Sequence, residues 1–156
     1  MELRTHFFLT LLLASVFTGY TLYEVQSLGV QEDLRPIQDI DVVESALRLK
    51  TQCFELEITV SGSQASNVRS VINGDPSFEH GFALQTLSAE PDKVVIDRID
   101  SGIFQSDLVL ENDDRINLRP SDGLVIAYQA DIPVYVNEDL ITEFGEPTCL
   151  DGSRRI

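Results

Sequence analysis

Histidine, cysteine and clustered carboxylates are the residue types here that could do chemistry, and the first two are scarce. The 156 residues hold His6 and His80, and Cys53 and Cys149. A Ser-His-Asp or Cys-His centre beyond the N-terminal apolar run would have to use His80. It sits in Phe78-Glu79-His80-Gly81, and no Gly-x-Ser-x-Gly surrounds any serine. On that pattern His80 reads as an exposed turn histidine. Glu111-Asn112-Asp113-Asp114 has the composition of a calcium loop. It lacks the glycine at the sixth position and the closing glutamate, so it reads as a solvated acidic turn. Carboxylate pairs recur throughout so acidic a chain and point to no acid-base work of their own. Dinucleotide, Walker and haem-attachment motifs are absent. The expectation is a protein that is not an enzyme, with no cofactor and no metal site.

Cys53 and Cys149 bracket the C-terminal two thirds of the chain. If that part faces an oxidising compartment, they read as one disulfide. Two buried or free thiols are the alternative. Two cysteines and a single nearby histidine cannot fill a tetrahedral zinc shell.

Charge excludes further classes. There are 26 acidic against 11 basic residues, a net charge of -15. The first 23 residues contribute only Glu2 and Arg4, so the whole imbalance lies after them. Nucleic-acid affinity rests largely on Lys and Arg neutralising phosphates, which predicts no nucleic-acid partner. Anionic lipid should likewise repel this part. A protein partner with a basic face fits better.

The elements that must position these residues fall into regions. Residues 1–6 form a short tail, expected in the cytoplasm. Phe7 to Tyr23 carries no charge. As a helix it would reach roughly 25 Å, at the short end for the hydrocarbon core of a bilayer. No Ala-x-Ala cleavage site follows, so an uncleaved anchor fits better than a cleaved signal. Within it Ala14, Ser15, Thr18 and Gly19 form a small-xxx-small face suited to packing against another helix. Residues 24–40, with Gly29 and Pro36, read as a stalk. Residues 41–150 form the exported domain and 151–156 a tail.

The domain is expected to be mainly β: a short helix, then a small antiparallel sandwich or barrel. The helix is placed at Asp41 to Thr51. Asp41 and Glu44 resemble a capping box, and Arg48 and Lys50 suit the last turn. Phe54 to Val60 alternates apolar and polar residues and reads as a strand. Phe82 to Leu87, Val94 to Ile99, Leu108 to Leu110, Leu124 to Tyr128 and Ile132 to Val136 read as further strands. Between them stand turn signals such as Asn73-Gly74-Asp75-Pro76, Asp100-Ser101-Gly102 and Pro120-Ser121-Asp122-Gly123. Pro133 marks its run as an edge strand.

The stretch Gly74-Asp75, Gly81-Phe82-Ala83-Leu84, Pro91-Asp92-Lys93-Val94-Val95-Ile96-Asp97-Arg98 and Leu108-Val109-Leu110 resembles inner-membrane protein C of type II secretion systems and the type IV pilus assembly protein P. The resemblance implies a single-pass scaffold in a bacterial inner membrane, with its β domain in the periplasm docking on envelope proteins. Two alternatives remain. One is a small accessory subunit of a respiratory or photosynthetic membrane complex. The other is a cleaved, secreted β domain that binds a ligand or inhibits an enzyme.

Overall fold

The computed structural model describes residues 33–149. The tail 1–6, the apolar run 7–23 with Ala14, Ser15, Thr18 and Gly19, and the tail 151–156 lie outside the described residues. Among those described, no helix is long and apolar enough to cross a membrane.

Two sheets and four helices make up the described chain. Strands β1 (Leu34–Pro36), β5 (Pro91–Asp100), β6 (Ile103–Leu110), β7 (Arg115–Leu118) and β8 (Val134–Asn137) form one sheet in the order β1-β8-β5-β6-β7. Strands β2 (Asp39–Val43), β3 (Ala46–Lys50), β4 (Phe54–Thr59) and β9 (Glu146–Pro147) form the other, in chain order. The helices are α1 (Gly62–Ile72), α2 (Phe78–Gln85), α3 (Pro120–Ala130) and α4 (Glu138–Phe144).

The helix expected at Asp41 to Thr51 is instead the hairpin β2-β3. Ile40, Leu47 and Leu49 are buried while their chain neighbours are more exposed, which is the period of a strand. The charges assigned to helix ends are cross-strand partners. Arg48 lies opposite Asp41 and Glu57 in the register, and its Nε is 3.0 Å from Glu57 Oε2. Lys50 Nζ pairs with Asp41 and, at 3.0 Å, with Asp39. Such cross-strand pairs support the sheet once it forms. Glu44, read as the capping-box acid, sits in the two-residue turn at φ 50°. The stretch read as a stalk also supplies β1 and the buried Ile40.

Two runs read as strands are helices. Phe82 to Leu87 overlaps α2, and Leu124 to Tyr128 lies within α3. In α3 Leu124, Val125, Ile126 and Ala127 are all buried. A helix covered all round shows no amphipathic period and looks like a short apolar strand. Pro120 stands at its first turn, where a missing N–H is harmless. Gly123 lets α3 lie close on the large sheet: a Cβ there would stand 2.9 Å from Val94 Cγ1 and 3.1 Å from Ser106 Oγ.

The large sheet is mixed, not wholly antiparallel, because β8 runs parallel to β5. Strand β8 is flanked by β1 and β5, so it is not an edge. Pro133 precedes it, and its carbonyl accepts from Val94 N at 3.0 Å. The turn Ser101-Gly102 joins β5 to β6 with φ of 52° and 80°, the left-handed pair that a tight hairpin needs. One apolar cluster joins both sheets to α1, α3 and α4.

Candidate active site

Helix α2 begins at Ser77, whose hydroxyl does not cap it. Ser77 Oγ lies 2.7 Å from His80 Nδ1. On the far side of the ring, His80 Nε2 is 3.4 Å from Asp122 Oδ1 in the first turn of α3. The His80 side chain is only 15% exposed and belongs to a helix, not to an exposed turn. Ser77, His80 and Asp122 therefore stand in a file. With the ring proton on Nε2 facing the carboxylate, Nδ1 is free to accept from the Ser77 hydroxyl.

Gln129, near the end of α3, fixes the serine from behind. Its Nε2 donates to Ser77 O at 2.9 Å, and that contact sets the orientation of the amide. The opposite atom, Oε1, is buried and has no hydrogen-bond partner among the described residues. Ser77 and Gln129 both line a cavity of about 430 Å³, with Pro76, Gly81, Phe82 and Gln85 completing it. Phe82 is 62% exposed at its rim. The arrangement offers a hydroxyl beside one ring nitrogen and a carboxylate facing the other.

A second polar cluster occupies the large sheet. Asp107 on β6 is 6% exposed. It accepts from Arg98 Nη1 and Nη2, each at 3.2 Å, and from Asn117 Nδ2 at 3.1 Å. Arg115 Nη1 is 3.8 Å away. Asp97 stands where the β5-β6 register slips between Ile96 and Arg98, and it takes Arg98 Nη1 at 2.6 and 2.8 Å. Bulges of this kind re-aim side chains. Burial raises Asp97 above its ordinary value, helped by the Asp107 charge. Burial pushes Asp107 upward too, but Arg98, Asn117 and Arg115 outweigh it and hold Asp107 below the usual range. The Arg98 fork is shared between the two carboxylates, which makes the cluster a brace across β5, β6 and β7.

Cys53 and Cys149 are joined, with Sγ atoms 2.15 Å apart. The link ties β9 to the start of β4, where Thr148 N also donates to Cys53 O. Glu111 to Asp114 is the turn between β6 and β7, closed by Asn112 Nδ2 donating to Asp114 Oδ2 at 2.7 Å. Among the described residues no three His, Cys, Asp or Glu side chains gather as metal ligands.

Sequence reasoning isolated His80 but not its neighbours. Ser77 was visible in principle as Ser-x-x-His at a helix start. Asp122 was hidden in Pro-Ser-Asp-Gly, which reads as a turn until α3 is known to be a helix.

The two-sheet frame with buried α3 holds the file of Ser77, His80 and Asp122. Residues 47–148 match the bifunctional nuclease domain, and the chain belongs to that family. Two uncharacterized proteins of Mycobacterium tuberculosis, from strains CDC 1551 / Oshkosh and H37Rv, are each 32% identical to it over 47 residues. That stretch is 30% of this chain and 29% of each relative, so the similarity spans under a third of the relatives' length.

The family membership overturns several expectations. The resemblance to secretion protein C and pilus protein P gives way to it. The scaffold role, the accessory-subunit and secreted-binder alternatives, the basic-faced envelope partner and the inner-membrane and periplasmic placement are set aside with that resemblance. A nuclease domain also contradicts a protein that is not an enzyme and has no nucleic-acid partner. Net charge misled because it averages over the surface, whereas a phosphate is met by a few local groups.

Proposed function

We propose that this chain cleaves phosphodiester bonds in nucleic acid, with Ser77, His80 and Asp122 as its proton-handling centre. The observation that carries the reading is the Ser77–His80–Asp122 file beside a cavity, in a chain of the bifunctional nuclease domain family. His80 Nδ1 takes the Ser77 proton as Ser77 Oγ bonds to phosphorus. The imidazolium then protonates the leaving oxygen as the P–O bond breaks. Asp122 orients the ring. Water then attacks phosphorus in the resulting phosphoserine ester as His80 accepts its proton; the Oγ–P bond breaks, and the imidazolium returns that proton to Ser77 Oγ.

The test is cleavage of single- and double-stranded DNA and RNA oligonucleotides by the purified chain, across added divalent cations, beside Ser77→Ala and His80→Ala. Cleavage by the parent and its loss in both variants supports the reading. No cleavage of any substrate by the parent sinks it. Full activity in both variants would move the chemistry away from this file.

A further inference from the structure

The cavity at Ser77 has a neighbour. A second one, of about 210 Å³, is lined by Asp75 and Tyr128 and shares Pro76 and Gln129 with the cavity of about 430 Å³. One exposed aromatic residue lines each: Phe82, 62% exposed, the larger, and Tyr128, 43% exposed, the smaller. Exposure alone does not single them out, since Ile103 is as exposed as Phe82. Their position does. Two aromatic residues from different helices line adjoining cavities, and Ser77 lines one of them.

Helix α2 sets the spacing. Ser77, Gly81 and Gln85 recur at every fourth residue and share one face, and Gly81 N donates to Ser77 O at 3.0 Å. Gly81 puts no side chain between Ser77 and Gln85; a Cβ there would have Gln129 Nε2 as its neighbour, at 3.6 Å. Phe82 is five residues beyond Ser77, which is about 7.5 Å along the helix axis. A ligand that reacts at Ser77 therefore meets Phe82 with a group several ångströms from its reacting atom. A nucleotide has that form, because the sugar holds the base away from the phosphate.

Charge favours bases over phosphates in these two cavities. Among the described residues the larger has no charged residue in its lining, and the smaller has a carboxylate, Asp75. Phosphates are met chiefly by Lys and Arg, which neither lining supplies. A base is uncharged, with two apolar faces and a polar edge. Aromatic side chains suit the faces, and the exposed Gln85 carboxamide offers both a donor and an acceptor to the edge.

We infer that Phe82 and Tyr128 stack on two unpaired bases of the strand whose phosphate is cleaved at Ser77, an assignment that rests on the proposed reaction there. Bases inside a duplex are already paired and stacked, so these two residues select single-stranded segments.

The test reads binding apart from cleavage. Oligonucleotides carrying the fluorescent base 2-aminopurine, single-stranded or annealed to their complements, are titrated into the full chain bearing Ser77→Ala, which leaves the strand intact. Stacking should quench the fluorescence. Adding Phe82→Ala should weaken single-strand binding about five- to hundredfold, Phe82→Leu by as much, and Phe82→Trp should keep it. Tyr128→Ala should weaken it in the same way, and Tyr128→Phe should not. Duplex binding should be weaker and unchanged by these substitutions. Circular dichroism checks that each variant is folded. Unchanged affinity in Phe82→Ala overturns the inference. Full affinity in Phe82→Leu overturns it too, because an apolar contact without a ring would then suffice. A fall in sedimenting mass in Phe82→Ala gives that residue to a second copy of the chain and likewise overturns it. Cleavage rates keep the two readings apart. Phe82-dependent quenching with no cleavage by the parent retains the stacking site and sinks only the reaction. Cleavage that is lost in Ser77→Ala but unchanged in Phe82→Ala and Tyr128→Ala retains the reaction and overturns the stacking.

Discussion

His80 Nε2 stands 3.4 Å from Asp122 Oδ1, so the first turn of α3 meets the ring that faces Ser77 at the start of α2. Neither helix alone holds the centre; their packing does. Asp122→Asn keeps the shape but removes the charge that orients the ring. It should lower cleavage by about 10²- to 10⁴-fold, and His80→Ala should lower it at least as far. Steady-state cleavage rates checked beside circular dichroism separate lost chemistry from lost fold. Parent-like rates in Asp122→Asn would remove the carboxylate from the mechanism.

The Asp97–Arg98–Asp107 brace sets opposite pH dependences. Asp107 is held below its ordinary value, so its stabilisation is present above the unfolded carboxylate range and fades as pH falls through its folded value. Asp97 is raised, so its contribution is full below the unfolded range and is lost as pH rises through its folded value. Asp107→Asn should therefore destabilise by about 1 to 3 kcal/mol at pH 7, and Asp97→Asn by less. The gap between them should narrow as pH falls through the folded value of Asp107, which lies below the ordinary carboxylate value. Urea unfolding of the two variants across that range measures it. A gap that is independent of pH would show that geometry, not ionisation, carries the brace.

The Cys53–Cys149 link closes a loop of sequence separation 96. In the chain-entropy model such a loop is worth about 4 to 5 kcal/mol. The double variant Cys53→Ser/Cys149→Ser should unfold at lower urea than the oxidised parent. The parent in reductant should follow the variant. Equal midpoints with and without reductant would show that the link adds no stability.

Gly123 is a packing requirement. A Cβ at 2.9 Å from Val94 Cγ1 has no room, because Val94 is fully buried. Gly123→Ala should cost about 1 to 3 kcal/mol through overpacking. It should also reduce cleavage, since α3 must shift beside Asp122. Chemical denaturation and the oligonucleotide assay read the two effects, and an unchanged unfolding midpoint would contradict the close approach.

Local patterns in the sequence carried part of this fold. The alternation through Phe54 to Thr59 and the Ser101-Gly102 turn each need only neighbouring residues, and both are seen at those places. Other elements depended on what covers them. Leu124 to Ala127 are all buried within a helix, which erases the period that would have announced it. Asp41, Arg48 and Lys50 satisfy one another across strands as well as they would along a helix, so their identity alone does not choose. The parallel pairing of β8 with β5 and the bulge at Asp97 are hydrogen-bond registers between distant segments. The amino acids by themselves determined that His80 was the one histidine available to chemistry after the apolar run. Only the tertiary structure decided that it has a serine on one ring nitrogen and a carboxylate facing the other, because Asp122 reaches it through the packing of α3 on α2.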